Sequence, residues 1–413
     1  MNSSVTERLT IDNFLSIKHF DWEIKDFNVL TGGMASGKSI CVKLVHFAEQ
    51  IMHKNIFFAS ITKDSLTREN FYSNVAQQFD AVFHSNHPQT DFHNTEIVYT
   101  FTLAKENMVF DLNANWNEHM QKLEWQSNYI DARIDNWREF LGERNTPDAA
   151  QNARLRIHEN IAHDFSGHFP ITATFIPASR AALAFGFGSS FDDGYLRDYN
   201  GLINLLKSFP SRKLKLNSIL KANIKEIDGG LWLESEDGRN IPISKASSGQ
   251  QEIIYVLMLL DKLGNFQYSY GKDQSLFIEE PSAHLFPQEQ KQTIELIVDI
   301  FNRLKEEGKH VRFFITTHSP YILNSLNNIL KKGSLLEKYS GREHEINSEV
   351  KIPRLSSKEI SACFIDANGI GKSIFDINEK YIYDDDIANI SFNIDEDARK
   401  LSELKNKFLD EGE

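Results

Sequence analysis

Residues Leu9–Phe14 alternate apolar and polar side chains, and Phe20–Ile24 does the same, so the chain opens on two strands that each bury one face. A short apolar run, Phe27–Leu30, stops at Thr31-Gly32-Gly33, and beyond it Ile40, Leu44, Val45 and Phe47 recur at three-to-four spacing. The order is strand, glycine-rich loop, helix. From about Asn55 to Phe169 the pattern changes: glycine is scarce, and Asn, Gln, His and aromatic residues abound. Glu96–Phe101 reads as a strand. A polar helical tract is predicted from about Trp116 to Ala162, with Trp116, Met120 and Leu123, then Ile130, Ile134, Trp137, Phe140 and Leu141, on its apolar side. It lacks the clean heptads of a long coiled coil.

Regular structure returns at Ile171–Pro177, a strand running into Ala178-Ser179-Arg180. A helical stretch over about Leu202–Leu220 precedes three strands, Asn223–Ile227, Leu231–Glu234 and Ile241–Ile243, split by Asp228-Gly229-Gly230 and Asp237-Gly238. Ile253–Leu260 is a buried helix or strand, too short to cross a membrane. Ser275–Ile278 and Val311–Thr316 are buried-strand runs, and Ile360–Asp366 with Ser373–Ile377 reads as a small hairpin. Apolar runs alternating with helical patterns predict an α/β core with a largely parallel sheet. The predicted organisation is a core in two parts, 1–55 and 170–326, an inserted strand and helical subdomain at 56–169, and a C-terminal hairpin with an acidic tail at 327–413.

Composition adds mainly exclusions. The chain is 41% hydrophobic and 25% charged, as in ordinary soluble domains. Its Met1–Thr10 segment lacks the layout of a signal peptide, and two cysteines, Cys41 and Cys363, make neither a disulfide framework nor a CxxC pair, so a cytoplasmic protein is expected. The net charge of −13 argues against a surface coated for nucleic acid. Basic residues gather only at Lys207–Lys225, including Arg212, Lys213, Lys215 and Lys221, which reads as a solvated helix face or a local basic groove. Acidic residues gather at Asp384-Asp385-Asp386 and in the tail beyond.

The chemistry begins in the glycine-rich loop. Gly32-Gly33-Met34-Ala35-Ser36-Gly37-Lys38-Ser39 fits GxxxxGK[ST] without a gap. Backbone N–H groups of such a loop curl around phosphates, and the following helix N-terminus adds partial positive charge. Lys38 would reach the β- and γ-phosphates of ATP, and the Ser39 hydroxyl would ligate Mg2+. Leu276–Glu280 is an apolar strand ending in two carboxylates: Glu279 would hold the Mg2+ shell, and Glu280 would orient or deprotonate the attacking water. Ser247-Ser248-Gly249-Gln250-Gln251 opens an apolar helix, either as a second anion site or as a plain N-cap helped by Glu252. His318, after the last buried strand, is either structural or a γ-phosphate contact.

In this order the motifs resemble the ABC-type ATPase head, a P-loop NTPase fold with a mixed sheet and a helical lobe, here with a mainly helical insertion. The opening Ile11–Ile17, followed by a strand into the loop, is similar to the branch holding the chromosome-maintenance, RecF and OLD (overcoming lysogenisation defect) ATPases. Ile176–Arg180, Ser247–Glu252, Glu279–Pro287 and Thr317–Asn328 most resemble the OLD-like ATPases of prokaryotic anti-phage defence, including the ATPase subunit of Septu. The resemblance implies that Ser248 and Gly249 act as the signature motif on ATP held by an opposite subunit, in a head-to-head homodimer or higher oligomer. It implies Glu280 as catalytic glutamate, His318 as switch histidine and Ser282–Leu285 as the loop touching the partner head. Gln250 stands where the signature usually has a second glycine, Glu279 replaces the commoner aspartate, and Arg180 stands where a glutamine would follow the strand.

OLD-type proteins append a nuclease that needs a glutamate and a DxD cluster for two metals. The segment after His318 is short and offers only Asp384–Asp386, so no nuclease is expected within it. The expected partner is a separate effector, a nuclease or toxin, released by an ATP-driven switch. The alternative is a RecF-like ATPase binding DNA across the dimerised heads, for which Lys207–Lys225 is the supporting feature. No membrane association is expected.

Overall fold

Alternation in the first residues folds as it reads. In the computed structural model β1 (Val5–Phe14) buries Leu9, Ile11 and Phe14, and it pairs antiparallel with β2 (Ile17–Ile24). The structure describes residues 5–52, 62–83, 93–120, 122–141, 147–166, 168, 172–178, 180, 217–227, 230–263, 273–383, 396 and 399–401. The strand β3 (Phe27–Gly32) leads through the glycine-rich loop into α1 (Lys38–Met52). On the other edge of β1 lies β4 (Glu96–Leu103), in register from Val5 opposite Leu103 to Asp12 opposite Glu96. With β5 (Met108–Asn117) and β6 (Lys122–Gln126) these strands form a five-stranded antiparallel sheet, order β2-β1-β4-β5-β6.

Helices α2 (Arg68–Phe83), α3 (Asn128–Phe140) and α4 (Pro147–Asp164) cover this sheet. One apolar core therefore runs from Leu9 and Phe14 through Val45 and Phe47 of α1 to Phe79, Trp125 and Trp137, across the expected boundary at residue 55. The helical tract expected from Trp116 is corrected at its start. Trp116 and Leu123 are cross-strand partners of β5 and β6, and Asn117 Oδ1 closes the turn by accepting from the N–H groups of His119 and Met120. Apolar residues seven apart suit two helical turns, and they equally suit facing positions of a hairpin; the Asx turn at Asn117 decides for the hairpin. The helix begins later, where Ser127 caps α3 and the Asp111 carboxylate accepts from the N–H groups of Asn128 and Tyr129.

Among the described residues the central sheet has six strands. β3 is flanked by β12 (His310–Thr316) and β13 (Ile360–Ile365); β11 (Asp273–Glu279) and β7 (Thr172–Ile176) extend one side and β14 (Gly371–Ser373) the other. All pairs are parallel except β13–β14, so the sheet is mixed. The residues expected as a small hairpin thus include a full strand of the central sheet, β13 lying alongside β3; Phe375–Asp376 pairs separately with Tyr381–Ile382. Both faces are covered, which is why β3, β11 and β12 read as apolar runs. Leu30, Phe277 and Phe314 face α1, the last two stacked at 4.4 Å, while Val29, Leu276, Ile278 and Ile315 face the opposite core. That second core holds α6 (Ser248–Leu263), α7 (Pro287–Glu306) and α8 (Pro320–Lys338), where Ile253–Leu260 is resolved as buried helix. Before α6 come the short helix α5 (Asn217–Leu220) and a three-stranded sheet of β8 (Ala222–Ile227), β9 (Gly230–Ser235) and β10 (Asn240–Pro242).

A charged cluster is buried between the two sheets. Tyr99 Oη donates to Glu7 Oε1 (2.7 Å), Arg312 Nη1 donates to Glu7 Oε2 (2.5 Å), and Ser275 Oγ donates to Glu49 Oε1 (2.9 Å). One guanidinium cannot neutralise two buried carboxylates, and burial pushes the Glu49 carboxyl well above the usual range despite Arg312. The cluster ties β1, β4, α1, β11 and β12 together.

Of the basic residues of Lys207–Lys225, only Lys221 and Lys225 are among the described residues. Lys221 pairs with Glu289 at 2.5 Å and Lys225 with Glu234. Residues 207–216 of that stretch, Asp384–Asp386 and most of the acidic tail lie outside the described residues. Among the described residues no helix is long and apolar enough to cross a membrane.

Candidate nucleotide site

The C-terminal ends of β3, β12 and β11 converge, the usual place for a ligand in a parallel sheet. A cleft of about 550 Å3 opens there, lined by Ser16, the loop and helix start from Met34 to Ile40, Glu280 and His318. Three sequence-separated motifs therefore meet in one place: the P-loop, the double carboxylate and the histidine after β12.

The loop's conformation explains two of its glycines. Gly32 has φ +147 and Gly37 φ +102. A Cβ on Gly32 would lie 2.4 Å from the Ile365 carbonyl oxygen of β13, and one on Gly37 would lie 2.3 Å from Ile17 Cδ1. Gly33 is free of that constraint, since a Cβ there would meet nothing within 4 Å. Ala35 sits at φ 59, a left-handed conformation that costs a residue with a Cβ about 1–2 kcal/mol. Ala35→Gly is therefore expected to raise unfolding stability by about 0.5–1 kcal/mol, net of glycine's entropy, measured by chemical denaturation.

Lys38 is buried and folds back on the loop, its Nζ donating to the carbonyls of Gly32 (3.0 Å) and Gly33 (2.8 Å). Burial lowers its pKa, opposed by the charges of Glu280 and Glu279. Ser39 is exposed at the cleft, and Met34 is 98% exposed. The hydroxyls of Thr31 and Ser36 are buried at the glycine-rich loop without a hydrogen-bond partner.

Glu279 ends β11 and is 4% exposed. Its Oε2 accepts from the Ala178 N–H at 3.1 Å, and its Oε1 is buried with no partner. Glu280 has φ 44, and its N–H donates to Thr316 O (2.9 Å) and Oγ1 (3.3 Å). Its carboxylate Oε2 lies 2.9 Å from His318 Nδ1. Beneath both residues the fully buried Arg180 donates to their backbone carbonyls.

Ser248 and Gly249 are not brought into the cleft. Ser248 is exposed at the start of α6, and Gly249 packs against its own chain, where a Cβ would meet the His284 carbonyl oxygen at 2.8 Å. The expected N-cap reading is corrected in its partner. Ser247 and Gln250 form a capping box, the Ser247 N–H donating to Gln250 Oε1 (3.2 Å) and the Gln250 N–H to Ser247 Oγ (3.4 Å). Glu252 points instead to Arg180. Gln250, the departure from the usual signature, thus has a local structural use.

The residues present fit a magnesium nucleotide. A hydroxyl at Ser39 and the unpartnered buried oxygen of Glu279 could supply hard oxygen ligands of the kind Mg2+ takes alongside phosphate and water. The loop amides with Lys38 could supply an anion cradle.

A profile of the family described as "AAA domain, putative AbiEii toxin, Type IV TA system" matches residues 27–324, from the first residue of β3 to within α8. The chain belongs to this family. As a member of it, the protein carries a P-loop ATPase domain of the AAA type. Among solved structures, the SMC head domain from Thermotoga maritima is similar at a TM-score of 0.38 and 11% identity, covering 89% of this chain and 98% of that one. The Smc head domain bound to the C-terminal domain of ScpA, derived from Pyrococcus furiosus, is similar at 0.38 and 9%, covering 90% and 96%. The recombination mediator protein RecF, in a structure described as RecF-ATPrS, gives 0.34 and 11%, covering 90% and 98%. Comparison with curated proteins gives no match.

In this AAA-domain chain the cleft also includes Ser16, which sequence reading missed. It lies in the turn between β1 and β2, and its only signal is Gly37, whose missing Cβ would sit 2.8 Å from Ser16 Oγ.

Proposed function

We propose that this protein is an ATP-hydrolysing switch whose heads pair face to face around two nucleotides. In this reading Gly32–Gly37 and Lys38 bind the phosphates, Ser39 and Glu279 hold Mg2+, Glu280 orients the attacking water and His318 reaches the γ-phosphate. Bound Mg2+ neutralises charge on the phosphates; the chain's own carboxylate handles the water. The 2.9 Å approach of Glu280 to His318 supports their acting as a pair. All of these residues come from the two parts of the head, and none from the proposed 56–169 insertion or the C-terminal part.

The observation that carries the pairing is the position of Ser248, exposed at the start of a largely buried helix and outside the cleft that holds Lys38 and Glu280. A hydroxyl and free helix N–H groups placed there are suited to phosphate held by a second head. Mixing two inactive chains tests it. Lys38→Ala lacks the cradle and Ser248→Arg blocks the signature, so each alone is expected to release no phosphate. The mixture regains turnover, because a mixed dimer holds one intact site. Failure of the mixture to exceed either variant counts against pairing through Ser248.

The output is proposed to belong to a separate effector, a nuclease or toxin, in a prokaryotic anti-phage defence system. The motif wording at Ile176–Arg180 and Glu279–Pro287 supports the defence setting, as does a family description that names a Type IV TA system. Isolation of the complex from its native host checks it; recovery of the ATPase without any second protein speaks against it. DNA maintenance has less support, since Lys221 and Lys225 are both engaged by carboxylates.

A further inference from the structure

Arg180 is an unusual place to spend a charge. Its side chain is 0% exposed, and burying a guanidinium costs several kcal/mol unless its donors are matched. Here they are matched almost wholly by backbone. Nη1 donates to Glu279 O (2.7 Å) and Pro177 O (3.1 Å), Nη2 to Glu280 O (2.7 Å), and Nε to Glu252 O (2.7 Å), with Glu252 Oε2 at 3.3 Å. One planar fork thus joins the end of β7, the end of β11 and the first turns of α6.

Two of those contacts bear on the site. Glu280 holds φ 44, a strained conformation for a residue with a Cβ, and such a conformation persists only where its surroundings over-determine it. Thr316 fixes the N–H side of Glu280 and Arg180 fixes the carbonyl side. The direction of the Glu280 carboxylate, toward His318 and the cleft, follows from that backbone. The other arm of the fork grips Glu252, one helical turn after Ser248 on the same helix.

We propose that Arg180 is a positioning residue that couples the start of α6, where Ser248 is displayed, to the backbone of Glu280, so that contact at Ser248 sets the aim of the Glu280 carboxylate. The guanidinium geometry is essential, because an ammonium is a point donor and cannot bridge peptide planes on three elements. This inference rests on the ATPase reading above, and the experiment separates the two.

Arg180→Lys and Glu252→Gln are compared with the parent for Mg-ATP affinity, using a fluorescent ATP analogue, for single-turnover hydrolysis at saturating ATP, and for thermal unfolding. Arg180→Lys is expected to keep its affinity within about threefold while single-turnover hydrolysis falls about 100-fold, the loss typical of a reacting group displaced by an ångström. Glu252→Gln retains the backbone acceptor and loses only the ion pair, so its hydrolysis falls about tenfold with affinity unchanged. It keeps the test valid even if Arg180→Lys does not fold. Hydrolysis per bound nucleotide equal to the parent's in Glu252→Gln and in any folded Arg180→Lys, with lowered unfolding temperature alone, overturns the coupling and leaves Arg180 a purely structural residue. A parent that binds ATP without hydrolysing it overturns the ATPase reading instead.

Discussion

Lys38→Ala is expected to abolish nucleotide binding, weakening Mg-ATP affinity by at least about 100-fold in a titration calorimetry experiment. Among the described residues lining the cleft, Lys38 is the only lysine or arginine, while Glu280 lines it and Glu279 lies close enough to act on Lys38. A triphosphate entering without the lysine meets two carboxylates with no lysine or arginine among the described lining residues to offset them. In the structure Nζ satisfies the carbonyls of Gly32 and Gly33, so the ammonium is already held within the loop and is desolvated there. The variant removes a partly dehydrated amine from the start of a helix, and alanine is the best helix former, so the fold is expected to survive. Affinity unchanged in a folded Lys38→Ala would sink the assignment of this loop.

Glu280→Gln is expected to bind Mg-ATP as the parent does and to hydrolyse it about 100- to 10,000-fold more slowly, measured as phosphate release at saturating ATP. The substitution preserves side-chain length, and the backbone anchors on both sides of residue 280, Thr316 and Arg180, remain. What disappears is the carboxylate beside His318. Turnover within a few-fold of the parent would move the general base elsewhere, with Glu279 the next candidate because of its unpartnered buried oxygen.

The parts of the site that sequence disclosed were those written in contiguous residues. Gly32–Ser39 and Glu279-Glu280 could be placed because a glycine turn and a carboxylate at a strand end are local properties. The P-loop glycines show the limit: why Gly32 and Gly37 must lack a Cβ depends on Ile365 and Ile17, which lie outside the loop in sequence. Ser16 and the bridging role of Arg180 were invisible for the same reason. The fold followed the same division. Alternation in β1 and β2 and apolar runs in β3, β11 and β12 were legible, since burial on one face or two writes itself into the pattern. Trp116 and Leu123 were misread because their spacing satisfies two geometries and only Asn117 breaks the tie. That β4 would join β1 rather than stand in a separate insertion could not be read, because register between distant strands leaves no local mark.

Pairing of heads through the nucleotide is tested most directly by the molar mass of Glu280→Gln with and without saturating Mg-ATP, by light scattering on a gel-filtration column. A variant that retains ATP should trap the paired state, so the mass of one chain is expected without nucleotide and of two with it. Adding Ser248→Arg to the same chain should return it to one. A Glu280→Gln protein that binds ATP fully and still elutes as a single chain would contradict the claim that the nucleotide joins two heads.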